Sequence, residues 1–563
     1  ITAQVCPLND DVILRIFDTV QDPDDVSAMM RTCWSMYHLG VKRLVSMGAH
    51  ITTDSTLIFF CHFMRRNRSV AHRLTELWLD IPRDSVVDDD SSSEDSFRDE
   101  SCEEPILRGA ALLVHILPLL TGIRAIQFNF CEGFLQCDHR LVDAFAALPA
   151  VYDLRLGSFG LLTYELISSM RSNIALLFME CSVADRTLSP LDHRVLFDPL
   201  DLLNTLEELR ICFIDLTANT VRPGPSTSVY PHVRLLSLAV GRFEELEILV
   251  NAFPNLRILD VTLCFHLDVE VRSLRARNRT VRCWDALEHV CGDICNLYIL
   301  GLTCPVARVD IALDNPGMVR EHLHEVLSDM QWSSSTKRIF FRLGFYLLIA
   351  GGKLRDDCAV TASDISHLLP PHATTSGVTH LGLDLNADFV VGDPIYYQRA
   401  AVSLLSRSRI RFFKFRIHVC TVESEGKYDH DAPLGPYRGQ VLRKFQRPFL
   451  TFWAAKIAEA APTVQFVCFE VMRRRTYWQV VREPGPRDYS LIQLSEEASR
   501  ELVENEQMEW HRTAHTIDPS SEDTVEEESE DDSDSGNLSD AMSVTSDSSP
   551  GEWRGAYDGD AYL

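Results

Sequence analysis

A chain of 563 residues, 46% apolar and 24% charged, is long enough for several domains or one elongated repeat body and is mostly globular in composition. Its formal charge of −27 sits mainly in two stretches, residues 88–104 with nine acids against Arg98 and residues 518–563 with fifteen against Arg554, so the remainder is nearly balanced. That balance excludes the basic footprint of a nucleic-acid binder, and no apolar run approaches the roughly 18 residues of a membrane-spanning helix.

The chain opens on three short helical patterns. Leu8, Val12, Ile13, Ile16, Phe17 and Val20 recur at helical spacing, and Asn9, Asp10 and Asp11 supply side-chain acceptors and negative charge for the first unpaired N–H groups. Pro23 cannot continue the hydrogen-bond ladder, and Asp24 or Asp25 can cap a second helix carrying Val26, Met29, Met30 and Cys33. A third follows with Trp34, Met36, Tyr37, Leu39 and Leu44. Helices this short cannot bury all that apolar surface among themselves, so a partner or a following domain must cover the rest. The order Leu-x-x-Asp-Val-Ile-x-x-Ile-Phe, then Val, then Arg-Thr-Cys and Tyr, resembles an F-box over residues 5–47, with Leu8-Asn9 where that family has Leu-Pro. The resemblance implies docking onto the Skp adaptor and cullin scaffold of a ubiquitin ligase. Leu8, Val12, Ile13, Ile16, Phe17, Val20, Val26 and Cys33 would then take the adaptor-facing positions. The same stripe also suits the first helices of an ordinary all-α or solenoid domain facing an internal core.

From Leu74 onward the pattern apolar-x-x-apolar-x-apolar recurs, from Leu74/Leu77/Leu79 to Val464/Val467/Phe469, and includes Leu297/Leu300/Leu302. Its last two positions alternate as a strand with one buried face requires. Amphipathic helical stretches lie between the copies, among them Leu107–Leu120, Val281–Ile294 and Phe449–Ala460. Several copies begin 23 to 32 residues apart, in or near the interval of about 20–29 residues found in leucine-rich repeats, whose core the pattern resembles. A weaker strand is expected near Phe341-Arg342-Leu343. A doubly wound sheet is the alternative, without the Gly-rich phosphate loop that usually follows its first strand. In a parallel stack the outward positions of the strands form one concave surface, and the candidates for holding a target are Trp78, Arg155, Arg210, Arg234, Tyr298, His380, Lys414 and Arg416.

Residues 84–104 and 518–563 are too acidic and too poor in apolar residues to order themselves. Ser521, Ser529 and Ser533 sit in contexts that an acidophilic kinase accepts. The densest basic run, Arg272, Arg275, Arg277, Arg279 and Arg282, and the run Arg473–Arg475 suit either phosphate binding or exposed charge balance. Sixteen scattered cysteines read as reduced core thiols, which places the protein in the cytoplasm or nucleus. Cys131, Cys137 and His139, Cys291 and Cys295, and the sequence His322-Leu-His324-Glu325 all miss metal-ligand spacing. No catalytic residue, cofactor or metal is therefore assigned.

The expected protein is α/β: a three-helix F-box-like module over 1–50, then an irregular leucine-rich-repeat-like β/α solenoid over 51–490 with a disordered acidic insertion at 84–104. A helical or linker segment over 491–517 and a disordered acidic tail over 518–563 follow. Taken with its resemblance to F-box proteins, including those of mushroom-forming fungi, this arrangement implies a non-enzymatic substrate receptor of an SCF-type ligase. It would hold an unknown protein target, with no nucleic acid and no membrane among its partners. A repeat scaffold without any ligase, or an enzyme of unrecognised chemistry, would share much of this pattern.

Overall fold

The computed structural model describes residues 9–81, 108–180, 204–216, 229–243, 246–262, 271–313, 316–330, 338–343, 365–366, 368–369, 377–386, 394–418, 447–471, 474–482 and 489–508. The acidic insertion at 84–104, Leu8, Ser521, Ser529, Ser533 and the tail from 518 lie outside them. The described residues all belong to one compact unit.

Three helices open the chain, α1 (Asp10–Thr19), α2 (Pro23–Met30) and α3 (Trp34–Ser46). Asn9 caps α1 by accepting from the Asp11 amide, while α2 starts earlier than expected: Asp22, rather than Asp24 or Asp25, is its cap and accepts from the Asp24 amide, with Pro23 in the first turn where its missing N–H costs nothing. At Gly40 of α3 any Cβ would strike Met30 and Phe17, so this glycine lets α3 lie close against the other two helices.

The strands β1 (Ala49–Ile51), β2 (Glu76–Leu79), β3 (Ala125–Phe128), β4 (Asp153–Leu156), β5 (Leu176–Glu180), β6 (Glu208–Leu216), β7 (Leu235–Phe243) and β8 (Ile258–Thr262) are followed by β9 (Leu287–Asp293), β10 (Val306–Leu313), β11 (Arg338–Leu343), β12 (His380–Asn386), β13 (Phe412–His418) and β14 (Phe466–Val471). Two last strands, β15 (Arg474–Arg482) and β16 (Tyr489–Gln493), complete one open sheet in which each strand pairs with its neighbours in sequence. Pairing is parallel from β1 to β14 and antiparallel through β15 and β16. This unbroken order excludes a doubly wound sheet, whose strand order reverses at a switch point.

Parallel neighbours need a crossover, and helices supply many of them. These are α4 (Asp54–Arg66), α5 (Arg68–Ala71), α6 (Arg108–Ile116), α7 (Cys131–Cys137), α8 (Arg140–Ala146), α9 (Leu161–Ser169), α10 (Leu246–Ala252), α11 (Val271–Asn278), α12 (Ile294–Leu300), α13 (Pro316–Asp329), α14 (Pro394–Ser406) and α15 (Arg447–Ala460). The alternate strand residues that face them, such as Leu77, Leu154, Val309, Leu383 and Phe415, share one core with the buried helix residues. Near its C-terminal end that core holds an aromatic cluster in which Trp453 of α15 is wholly buried, stacked on Phe469 and edge-on to Phe415. One further helix, α16 (Glu496–Asn505), packs on the other face of the sheet. No helix among the described residues is long and apolar enough to cross a membrane.

Two expectations fail here. The stretch expected as a helix, Val281–Ile294, contains β9, and Leu297/Leu300/Leu302, expected as a strand, lies in and after α12. The cause is Gly292. It occupies the core-facing position of β9 where the pattern wants a large apolar residue, its absent Cβ would meet the Val261 carbonyl, and Leu297 of α12 packs over the gap. With Gly292 breaking the strand signature, the apolar residues on either side mimic helical spacing.

Candidate interaction surfaces

The N-terminal helices carry more apolar surface than they use. Ile13, Phe17 and Val26 are fully buried within the chain, whereas Val12 and Ile16, one turn apart on α1, are 43% and 38% exposed. Ile13, Phe17 and Val26 are therefore corrected from adaptor contacts to core: they hold the three helices together and present no surface. Val20 and Cys33 are half-buried, and the Val20 carbonyl accepts from Nη2 of Arg43 at 2.9 Å, which ties the end of α1 to α3. Sequence reasoning passed over Trp34 and Tyr37, which are 77% and 40% exposed on α3, because they read as part of its inward stripe.

The second surface is the sheet face away from the main core. Strand register aligns Trp78, Gln127, Arg155, Phe178, Arg210, Ser237 and Asp260 in one row, which continues through Cys291, Asp310, Phe340, Gly382, Lys414, Cys468 and Tyr477. Along its first part the side chains reach solvent. Trp78 is half-buried, Arg155 is exposed and bridges to Asp153 at 3.0 Å, and Arg210 pairs with Glu208 on its own strand. Arg234 is exposed too, but it lies in the turn before β7 rather than on the strand.

From β7 onward the row is closed. Asp310 is fully buried; burial would push its carboxyl up, but His289 at 3.1 Å and the fork of Arg308 at 2.7 and 2.8 Å hold it well below the usual carboxylate range. Asp260 fares differently. Burial pushes its carboxyl up to about 6, and the Ser237 hydroxyl, which donates to it at 3.0 Å, offsets only part of that. The folded protein then holds this proton more tightly than the unfolded chain, so the group favours folding at low pH and opposes it as pH rises through about 6. Asp260→Asn, which keeps an acceptor for Ser237, is expected to raise stability at neutral pH by about 2 kcal/mol. It should also flatten the stability curve between about pH 4 and 6, as measured by urea midpoints across that range.

Farther along, α16 covers the face. Ser495 caps it by accepting from the Ala498 amide, Glu496 and Glu497 fill its first turn, and Val503 and Met508 are buried against Phe340, Phe412, Cys468 and Tyr477. Its last carbonyls face guanidinium groups: Arg338 donates to Glu506 at 2.9 Å and Arg308 to Gln507 at 2.8 Å. His380 stacks on Phe412 and meets the Glu506 carboxylate at 2.9 Å. Lys414 is buried with Glu470 at 3.2 Å, and Arg416 lies 3.3 Å from the same carboxylate. His380 and Lys414 are thus corrected from an open target surface: His380 is sealed by the segment expected as a helix or linker, and Lys414 is buried in an ion pair with Glu470 of β14. Arg416, its side chain 31% exposed, keeps partial access.

Tyr298 is not on the sheet at all. It is buried on α12, under the guanidinium of Arg275 at 4.1 Å and stacked on His322 of α13. Arg275 also binds Asp329 and the Tyr298 carbonyl, and Arg279 reaches Asp329 at 3.3 Å, so part of the densest basic run is spent on neighbouring helices rather than offered to a phosphate. Among the described residues no group of three or more His, Cys, Asp or Glu side chains could hold a metal ion. Compared with known proteins, the sequence matches no family model and no curated protein.

Proposed function

We propose that the chain is the substrate-recognition subunit of an SCF-type ubiquitin ligase, docking the Skp adaptor, and through it the cullin scaffold, by its first three helices. The observation that carries this reading is the division of labour on α1: Ile13 and Phe17 complete the helical core while Val12 and Ile16 stay uncovered beside them. Apolar side chains held outward on a helix that is already packed suit a partner surface. The body, on this reading, is an irregular leucine-rich-repeat-like solenoid. It holds a protein target on the open part of its outward row, at Trp78, Gln127, Arg155, Phe178 and Arg210. The receptor breaks no bond; it raises the effective concentration of target beside the ubiquitin-loaded enzyme. A cytoplasmic or nuclear location accords with this role.

The test separates docking from folding on a single helix. Ile16→Asp is expected to abolish co-purification with the Skp adaptor while leaving the thermal transition in place, because the side chain is already partly in solvent. Phe17→Ala is expected to cost about 3–5 kcal/mol of stability by emptying a filled core site. Retained adaptor binding by folded Ile16→Asp would remove the proposal.

A further inference from the structure

Two turns at the entry of β9 and β10 bring a pair of thiols together. Cys283 lies between α11 and β9 and Cys304 between α12 and β10, and the turns are joined by the Leu287 amide donating to the Pro305 carbonyl at 2.9 Å. The two sulfurs are hydrogen-bonded at 3.4 Å. Cys304 is 3% exposed, while Cys283 is only partly buried. The neighbouring Trp284 is anchored by its indole N–H donating to the Phe253 carbonyl at 2.7 Å, so the Cys283 turn is held from below.

The surroundings of Cys283 are those of an anion. Besides the Cys304 thiol, the amide groups of Trp284, Thr303 and Cys304 hydrogen-bond to its sulfur. Led by the Cys304 thiol and opposed by burial, these donors bring Cys283 down to about 7, and Cys304 is pushed well up by its bond to Cys283 and by burial. Cys283 is therefore the sulfur that gives up its proton first, and once it is a thiolate Cys304 is the thiol that donates to it. Three other buried thiols, Cys61, Cys131 and Cys291, are by contrast raised by burial.

We infer that Cys283 and Cys304 form a hydroperoxide-sensitive dithiol, with Cys283 the attacking sulfur and Cys304 the resolving one. The Cys283 thiolate attacks one oxygen of a hydroperoxide; the S–O bond forms, the O–O bond breaks, and the other oxygen leaves as an alcohol or water after taking up a proton. The Cys304 sulfur then attacks the Cys283 sulfenic acid. An S–S bond replaces the S–O bond, and the departing hydroxide leaves as water with the thiol proton. The pair gives up two electrons, the hydroperoxide accepts them, and the entry turns of two adjacent strands become covalently tied.

The full chain treated with hydrogen peroxide and digested without reductant is expected to yield a peptide linking Cys283 to Cys304. Iodoacetamide labelling of Cys283 is expected to rise with a midpoint near pH 7, against about 8.5 for an ordinary thiol. In Cys304→Ser, peroxide should leave a sulfenic acid on Cys283 that dimedone captures; in the parent chain that adduct should be at least tenfold weaker. A Cys283 labelling midpoint at the ordinary value in the parent chain, or oxidation that links either cysteine elsewhere and not to the other, would overturn the inference. Neither measurement depends on a variant that must fold.

Discussion

Val503→Asp is expected to release α16 from the sheet without unfolding the sheet. Val503 is 4% exposed and packs among Phe340, Phe412, Tyr477 and Met508. The substitution removes an apolar contact worth about 2 kcal/mol and demands that a carboxylate be buried or the helix lift away. Lifting is cheaper, because the main core lies on the opposite face, where Leu381, Phe413 and Phe469 stay packed against helices. The expected loss of docking is on the order of 3 kcal/mol. Hydrogen exchange should find the α16 amides unprotected and the β12–β14 amides still protected, with new binding of an apolar dye to the uncovered aromatic residues. Unchanged protection of α16 would show that the contacts at Val503 do not hold the helix down.

Arg275→Met is expected to be strongly destabilising, and more so as pH rises. Arg275 is 4% exposed and joins three elements: its guanidinium binds Asp329 on α13, donates to the Tyr298 carbonyl on α12 at 2.8 Å, and lies over the Tyr298 ring. Methionine preserves bulk but strands Asp329, whose remaining partner Arg279 has a side chain 52% exposed. Removing one member of a buried pair typically costs about 3–5 kcal/mol. Burial already raises the Asp329 carboxyl against the pull of Arg275 and Arg279; without Arg275 it rises further. The variant's deficit should therefore grow as pH is raised, since the stranded carboxylate must then be ionised in the fold. Urea unfolding at mildly acidic and mildly alkaline pH checks this, and Arg275→Met with Asp329→Leu should recover most of the loss. A deficit that shrinks with rising pH would place the effect elsewhere.

Much of the strand framework was legible because each repeat sends two alternate residues inward after a buried lead residue, as Val151, Leu154 and Leu156 do before and within β4. The misreadings have physical causes. Gly292 hid β9, and Val306, Val309 and Ile311 of β10 were overlooked although they fit the same pattern. Strand β15 was obscured by the basic run at its start, although Trp478 and Val480 face the core. At the surfaces, period alone could not separate Val12 and Ile16 from Ile13 and Phe17, since adjacent residues of one apolar stripe differ only in what the neighbouring helix covers. Nor could it show that a segment after the last strand would fold back over His380. That contact joins residues more than a hundred positions apart, and only the apolar outward residues Phe340 and Phe412, unusual on a solvent face, hinted at it.

The neighbour-by-neighbour strand order and the late position of α16 bear on how the protein is made. Each parallel strand can add to the growing edge as it leaves the ribosome, because its partner has already been synthesised. The outward side of β11–β14 has no such luck: its phenylalanines emerge well before Val503 and Met508 exist to shield them. Throughout that interval the nascent chain displays a sticky stripe, so chaperone dependence and aggregation during translation should concentrate there rather than in the first half of the sheet.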